Sequence, residues 1–202
     1  LLLETGYPFE FYDLEKVKQH TKTDVLKLSL KSAPHNTKFT ANNNINYSLD
    51  SNIIIVEANN YPLSIAGIIP NNTVSYTSET NSLLIEASIF NSKKIRQQSR
   101  ILGLRTDRSA RYEKGLNNSS FIQALIRLIS LLRISNPDLS CKIHTTAQVE
   151  QPQLSKIVLN YENIIEILGP IRAELNEEPT QLGVTQITSY LERLNFIFSF
   201  EE

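Results

Sequence analysis

Short apolar runs separated by polar turns dominate residues 26 to 90. Leu26, Leu28 and Leu30 alternate with polar residues, which is the pattern of a half-buried strand. Asparagine-rich stretches lie between the runs, and asparagine suits turns because it tolerates the left-handed backbone conformation. We therefore predict a sheet of several strands, with further members over residues 53–56, 63–69 and 83–87.

From residue 91 the apolar spacing becomes helical. Asn91 or Ser92 can cap a helix, and Gly103 can end it in the left-handed conformation. A second helix is predicted over residues 119–134. Its apolar residues cover more than one face, so we expect this helix to be largely buried against the sheet.

A second module is predicted beyond a polar linker at residues 150–156. Residues 141–149 alternate as a strand before the linker. After it, Asn160 can cap one short helix, Thr185 can cap another, and residues 196–200 have the composition of a strand. This order is typical of the start of a winged-helix-like unit. The predicted domains are residues 1–149 and 157–202.

The predicted fold class is α+β, or mixed α/β. It consists of a mixed β-sheet with helices packed on it, followed by a partial helical module. The chain contains no methionine, so we expect residues before Leu1 in the natural protein and a sheet that is incomplete at its N-terminal side.

Charge separates the two modules. Residues 1–149 carry 17 basic and 12 acidic side chains, a net charge of +5, whereas residues 150–202 carry 3 and 9, a net charge of −6. Only the first module has an electrostatic reason to approach nucleic acid. The single cysteine, Cys141, excludes an intrachain disulfide and a four-thiolate zinc site.

The composition also indicates a compartment. No run approaches the roughly 18 apolar residues that a membrane-spanning helix requires, so we expect an intracellular protein with no membrane partner. Asparagine, isoleucine and lysine are plentiful, and glycine is scarce at 6 residues. This bias is typical of A+T-rich genomes and favours the plastid stroma, with a bacterial-type cytoplasm as the alternative.

Four segments carry a resemblance to a known family. They are LLLETGYPFEFYDL at 1–14, IAGII at 65–69, LLIEASIFNSKKIRQQSRILGLRTDRSARYEKG at 83–115, and VLNYENIIEILGP with ITSYLERLNF at 158–170 and 187–196. In order and spacing they resemble the β subunit of bacterial- and plastid-type phenylalanyl-tRNA synthetases. The chain is similar to the end of that subunit's editing module and the start of the following helix-rich module.

The resemblance implies an enzyme of two α and two β subunits that joins phenylalanine to tRNA-Phe with ATP and magnesium. The synthetic site of the family lies in the α subunit, so no cofactor is expected in this chain, which also lacks a glycine-rich phosphate loop. The family's editing module hydrolyses tyrosine that has been attached to the tRNA by mistake. A second site of this kind is needed because one amino-acid pocket separates similar side chains imperfectly.

Four residues are candidates for an editing pocket. Glu86 matches the family's carboxylate that recognises the tyrosine hydroxyl, although periodicity alone favours a side chain that faces solvent on an amphipathic strand. Gly67 matches a glycine that forms a pocket wall, with a tight bend as the alternative. Thr106 and Asp107 follow the first predicted helix, in a loop that the family places beside the scissile ester.

Two departures from the family pattern put hydrolysis in doubt. Glu10 stands where the family has histidine, and Arg108 stands where it has a small alanine. An inward-pointing arginine would fill the space for the tyrosyl ring or pair with Glu86. The glycine loop also departs from the pattern, reading Ile68-Ile69-Pro70-Asn71 where the family tends to have two glycines.

Eight basic side chains lie between residues 93 and 114. The ordinary explanation is a solvated surface with internal ion pairs, but the net charge of the first module and the RNA substrate of the family favour phosphate contacts. Our candidates for RNA binding are Arg96, Arg100, Arg105 and Arg111.

No catalytic triad or metal site can be assembled from the sequence. His20, His35 and His144 are far apart and are expected at the surface, so hydrolysis would depend on a positioned water molecule. The function that we expect is support of tRNA-Phe charging with a degenerate editing module. The alternatives are active editing, a purely structural and tRNA-docking module, and a free-standing editing protein.

Overall fold

The computed structural model of the chain describes residues 1–145, 155–172 and 178–200. The chain divides into two compact units, Leu1–Pro152 and Gln153–Glu202. The boundary lies near the predicted linker, most of which falls outside the described residues. The assignment of domains and linker therefore remains a prediction.

The first unit combines eight strands with five α-helices and one 3-10 helix, Asn72–Val74, in its described part. The strands are β1 (Glu10–Asp13), β2 (Leu28–Ser32), β3 (Thr37–Thr40), β4 (Asn46–Leu49), β5 (Ile54–Ala58), β6 (Tyr61–Ile65), β7 (Ile69–Pro70) and β8 (Leu83–Glu86). The helices are α1 (Leu2–Thr5), α2 (Leu14–Thr21), α3 (Ser92–Leu102), α4 (Asp107–Tyr112) and α5 (Phe121–Ser135). The α+β class predicted from the sequence is confirmed.

The strands form three antiparallel sheets where the sequence indicated one. The largest has the order β2-β5-β6-β7, and the pairs β1-β8 and β3-β4 form two-stranded ribbons. The predicted run at 63–69 is divided between β6 and β7 because Gly67 adopts a left-handed conformation, with φ of 68°, in the turn between them.

The central strand β5 is buried, whereas the edge strand β2 is exposed. Ile55 and Val56 belong to the core, as the apolar run predicted. Leu28 and Leu30 lie in the predicted strand but are 44% and 55% exposed, because no layer covers this edge in the described part of the unit. Alternation thus identified a strand without revealing whether anything packs against it.

Local capping explains α3. The Asn91 side chain accepts hydrogen bonds from the amides of Lys93 and Lys94, and Gly103 ends the helix with φ of 59°. Ile95 and Gln98 face the core, where the Gln98 amide donates to the carbonyl of Ala66 at 2.6 Å. The predicted helix is confirmed at both ends.

The expectation that the helix at 119–134 is largely buried is wrong. In α5 only Ala124 and Leu128 are buried, whereas Ile122 and Ile126 are 42% and 59% exposed. The helix packs one face on a cluster with Tyr7 and Phe9 before β1. The β1-β8 ribbon, on which this face of α5 packs, presents too little surface to cover a second face of the helix. The additional apolar residues of α5 therefore point outward.

The second unit contains α6 (Tyr161–Leu168) and α7 (Val184–Arg193). Asn160 caps α6 through the amide of Glu162 as predicted, while α7 begins at Val184 after Gly183 and not after a Thr185 cap. The prediction of a strand at 196–200 is wrong, because these residues are not paired with any described residue of this unit. An isolated strand lacks hydrogen-bond partners for its backbone. The winged-helix-like architecture remains a prediction.

Two further expectations concern the end of the first unit and the membrane. Residues 141–145 have no strand, and the rest of the strand predicted to 149 lies outside the described residues. None of the helices in the described ranges is long and apolar enough to cross a membrane.

Candidate functional site

A pair of carboxylates on one ribbon forms the centre of the candidate site. In the antiparallel register of β1 and β8, Glu10 stands directly opposite Glu86. Directly opposed residues project from the same face, so their side chains are neighbours. Both are buried, with 7% and 9% exposure. Two buried carboxylates on neighbouring positions destabilise the fold unless a cation or a bound proton compensates their negative charge.

Arg108 supplies that cation. Thr106 caps α4 through the amide of Ser109, and Arg108 follows in the first turn with its side chain directed at the ribbon. Its Nη1 forms a salt bridge with Glu10 Oε2, and its Nη2 lies 3.8 Å from Glu86 Oε1. The structure therefore places Arg108 inward, between the two carboxylates.

Burial and charge act against each other in this cluster. Burial raises the pKa of the Glu10 carboxyl; the Arg108 guanidinium opposes the rise and the Glu86 carboxylate adds to it. Burial would lower the pKa of Arg108, but Glu10 and Glu86 outweigh it and hold that pKa above its ordinary value. Arg108 is thus a permanent cation. Its Nε and Nη2, like Glu86 Oε1, have no hydrogen-bond partner among the described residues.

Tyr12 occupies the other oxygen of Glu86. Its hydroxyl donates to Glu86 Oε2 at 2.6 Å and lies 2.9 Å from Ser64 Oγ, and the tyrosine is fully buried. Burial and the carboxylates Glu86 and Glu10 raise the pKa of Tyr12 well above its ordinary value, so it remains a hydrogen-bond donor. Sequence reasoning missed Tyr12. The available signal was its spacing of two from Glu10, which places both residues on one face of β1.

Thr106 and Gly67 meet at the turn between β6 and β7. The Thr106 hydroxyl donates to the carbonyl of Ile68 at 2.9 Å, which fixes the start of α4 against this turn. A Cβ atom at Gly67 would lie 2.8 Å from Ile95 Cδ1 and 3.1 Å from Tyr112 Cδ2. The space beside Gly67 is therefore filled by core side chains.

The loop expected at Thr106 and Asp107 is instead the beginning of a helix. Asp107 is the first residue of α4 and is exposed. Its negative charge lies at the positive end of the helix dipole and stabilises the helix. Its carboxylate takes no part in the salt bridges that join Glu10, Glu86 and Arg108. Of the predicted site residues, the structure brings these last three into one cluster and places Gly67 and Thr106 beside one another.

Three basic residues of α3, Lys93, Arg96 and Arg100, line a groove on another surface of the unit, and the fourth, Lys94, does not. Two adjoining cavities of about 510 and 270 Å³ share Arg96, Arg100 and Glu113. Lys93 lines the larger cavity and Arg105 the smaller. We call this the α3 groove. Three of the four RNA-binding candidates line it, and the fourth, Arg111, does not.

The histidines and possible metal ligands remain apart. His20, His35 and His144 are exposed as predicted, and His20 stacks on Tyr61 with ring centroids 4.5 Å apart. In the described ranges, no group of three or more histidine, cysteine, aspartate or glutamate residues lies close enough to hold a metal ion.

Comparison with known proteins confirms the resemblance found in the sequence. The chain is 55% identical over 201 residues to the chloroplastic phenylalanine–tRNA ligase β subunit of Phaeodactylum tricornutum, covering all of this chain and 28% of the relative. It is 31% identical over 211 residues to the β subunit of Prochlorococcus marinus, covering all of this chain and 26% of the relative. The chloroplastic β subunit of Pyropia yezoensis is 30% identical over 97% of this chain and 27% of its own length.

The chain thus spans about a quarter of the length of these curated relatives. The family model described as "B3/4 domain" matches residues 1–135, which include every element from α1 to α5 and the whole of the Glu10–Arg108–Glu86 cluster. The chain belongs to the B3/4 domain family.

Proposed function

We propose that the chain is part of the β subunit of a plastid phenylalanine–tRNA ligase, and that it supports ATP-dependent charging of tRNA-Phe. The named relatives and the similarity across the full chain support this proposal. ATP and magnesium act in the α subunit of an assembly with two α and two β chains. Two of the similar proteins are chloroplastic, which supports the plastid stroma as the compartment.

Co-expression of the full-length subunit with its α partner tests this assignment. We expect one stable complex by size-exclusion chromatography with light scattering, and phenylalanylation of tRNA-Phe only when both chains are present. Two monodisperse subunits that do not associate would contradict the proposal.

Within this assembly, the B3/4 domain hydrolyses tyrosyl-tRNA-Phe poorly or not at all. The single observation that carries this proposal is the position of the Arg108 guanidinium between Glu10 and Glu86. The carboxylate that the resemblance matches to recognition of a tyrosine hydroxyl already faces a cation, and an inward-pointing arginine would fill the space that the family's small alanine leaves for the ring. An incoming substrate would have to displace a buried charge from two buried counter-charges.

Tyr12 blocks the same carboxylate from the other side. Its hydroxyl at 2.6 Å from Glu86 Oε2 makes the hydrogen bond that a substrate tyrosine would make. Replacing the Tyr12 hydroxyl by a substrate hydroxyl would contribute little binding free energy, because one phenolic donor takes the place of another. The displaced Tyr12 hydroxyl would also be left buried without a partner. Tyr12 thus occupies Oε2 of Glu86 with a hydrogen bond, whereas Oε1 only faces the Arg108 guanidinium at 3.8 Å and would be freed by removal of that side chain.

Hydrolysis of tyrosyl-tRNA-Phe by the intact synthetase tests the loss of editing. We expect the unmodified enzyme to hydrolyse it no faster than the spontaneous rate, and the double variant Arg108→Ala with Glu10→His to gain activity. Arg133→Ala is the matched control, because Arg133 is exposed on α5 and outside the cluster. Efficient hydrolysis by the unmodified enzyme would show that the cluster does not block the pocket.

A further inference from the structure

The α3 groove is a cationic surface that the fold leaves unneutralised. Lys93, Arg96, Arg100 and Arg105 line it together with a single acid, Glu113. Within the described ranges, no carboxylate forms a salt bridge with any of the four cations. Internal ion pairs therefore do not account for the charges of this groove.

The local stability of α3 does not account for the charges either. Its first turn contains Lys93 and no acidic residue, although cations at a helix N-terminus oppose the helix dipole. Arg100 in the last turn is favourable for the helix, but Arg96 in the middle gains nothing from the dipole. The dipole of α3 therefore does not explain the positions of Lys93 and Arg96.

The residue types fit a chain of phosphates. Arginine binds phosphate oxygens through two parallel N–H groups, and three of the four cations are arginines. Arg96 and Arg100 are one helical turn apart, so they project from one face as neighbours. Ile101, which is 48% exposed, adds an apolar surface within the larger cavity that suits a ribose or a base.

We propose that the α3 groove binds the sugar-phosphate backbone of RNA. The choice of RNA over other polyanions rests on the proposed function. The site is separate from the Glu10–Arg108–Glu86 cluster, so the groove can hold a tRNA whether or not the pocket hydrolyses anything. This inference assigns to the B3/4 domain of this chain a docking role that does not depend on editing.

The test uses the assembled synthetase and unacylated tRNA-Phe over a range of salt concentrations. Replacing Arg96 and Arg100 by glutamate should weaken binding and flatten the plot of log affinity against log salt by roughly two units, because each lost phosphate contact removes about one released counterion. The matched control is Lys27→Glu with Lys38→Glu. It makes the same charge change at exposed positions outside the groove and should leave the slope near that of the unmodified enzyme.

Glu113→Gln provides a change of the opposite sign inside the groove. It removes the one acid from the lining and should strengthen tRNA binding. In aminoacylation, the arginine double variant should raise the KM for tRNA and keep kcat, since the synthetic site is untouched.

Two results would overturn the inference. One is a salt slope that is unchanged in the arginine double variant, and the other is an equal change in the lysine control. Failure of the proposed function would be distinguishable, because the unmodified assembly would then neither form nor charge tRNA-Phe. In the first case, that of an unchanged slope, binding of anionic lipid vesicles that the arginine double variant weakens would assign the groove to a lipid surface in place of RNA.

Discussion

Replacing Arg108 by methionine should destabilise the fold in a pH-dependent way. Methionine keeps most of the side-chain volume and removes the charge, which leaves Glu10 and Glu86 facing one another without a cation. Arg108 is 13% exposed, and the two carboxylate side chains are 10% and 8% exposed, so solvent screens them little. Attraction across the 3.8 Å to Glu86 alone is about 4 kcal/mol at an effective dielectric constant of about 20.

The variant can escape this penalty by taking up a proton. In the unfolded chain a glutamate has its ordinary pKa of about 4.3. Relative to that state, keeping one glutamate protonated costs about 3.7 kcal/mol at pH 7 and about 1 kcal/mol at pH 5. We therefore expect the free energy of unfolding to fall by about 4 kcal/mol at pH 7 and by only about 1 kcal/mol at pH 5.

The sign follows from the direction of the pKa shift. Burial already holds the pKa of Glu10 above its ordinary value, and Arg108 opposes that rise. Without Arg108 the folded-state pKa rises further above the unfolded value, so the folded variant binds more protons than the unfolded chain. Its stability is then greatest below the unfolded pKa and is lost as the pH increases through the raised pKa.

Urea unfolding at pH 5 and pH 7, followed by circular dichroism, measures this difference. Arg133→Met is the matched control, because Arg133 is exposed on α5 and should lose little stability at either pH. A deficit for Arg108→Met that is the same at both pH values, or smaller than about 1 kcal/mol at pH 7, would refute the assignment of a buried charge cluster.

Two further substitutions test the packing around the site. Gly67→Ala should destabilise by about 2 to 4 kcal/mol, because φ of 68° disfavours a side chain and the new Cβ would lie 2.8 Å from Ile95 Cδ1. Gly103→Ala, where a Cβ meets nothing within 4 Å, should cost only about 1 kcal/mol, and equal urea midpoints for the two variants would contradict this account. Tyr12→Phe should cost about 1 to 3 kcal/mol, since Glu86 Oε2 loses its buried donor; an unchanged midpoint would show that water replaces the hydroxyl.

Sequence reasoning succeeded where a structural feature depends on residues a few positions apart. Asn91 and Gly103 delimit α3 because capping involves groups within one helical turn. The charge difference between the two modules is a property of composition alone. The unusual residues Glu10 and Arg108 could likewise be identified by comparing the sequence with the pattern of a family that it resembles.

The tertiary structure decided everything that depends on distant pairing. Glu10 and Glu86 become neighbours only through the β1-β8 register, and the direction of Arg108 depends on the position of α4 beside that ribbon. Apolar content predicted burial of α5, yet its outward face is exposed because the ribbon covers only one side of the helix. Local spacing determines how a segment folds, but the surfaces that remain available to cover it are set by the rest of the chain.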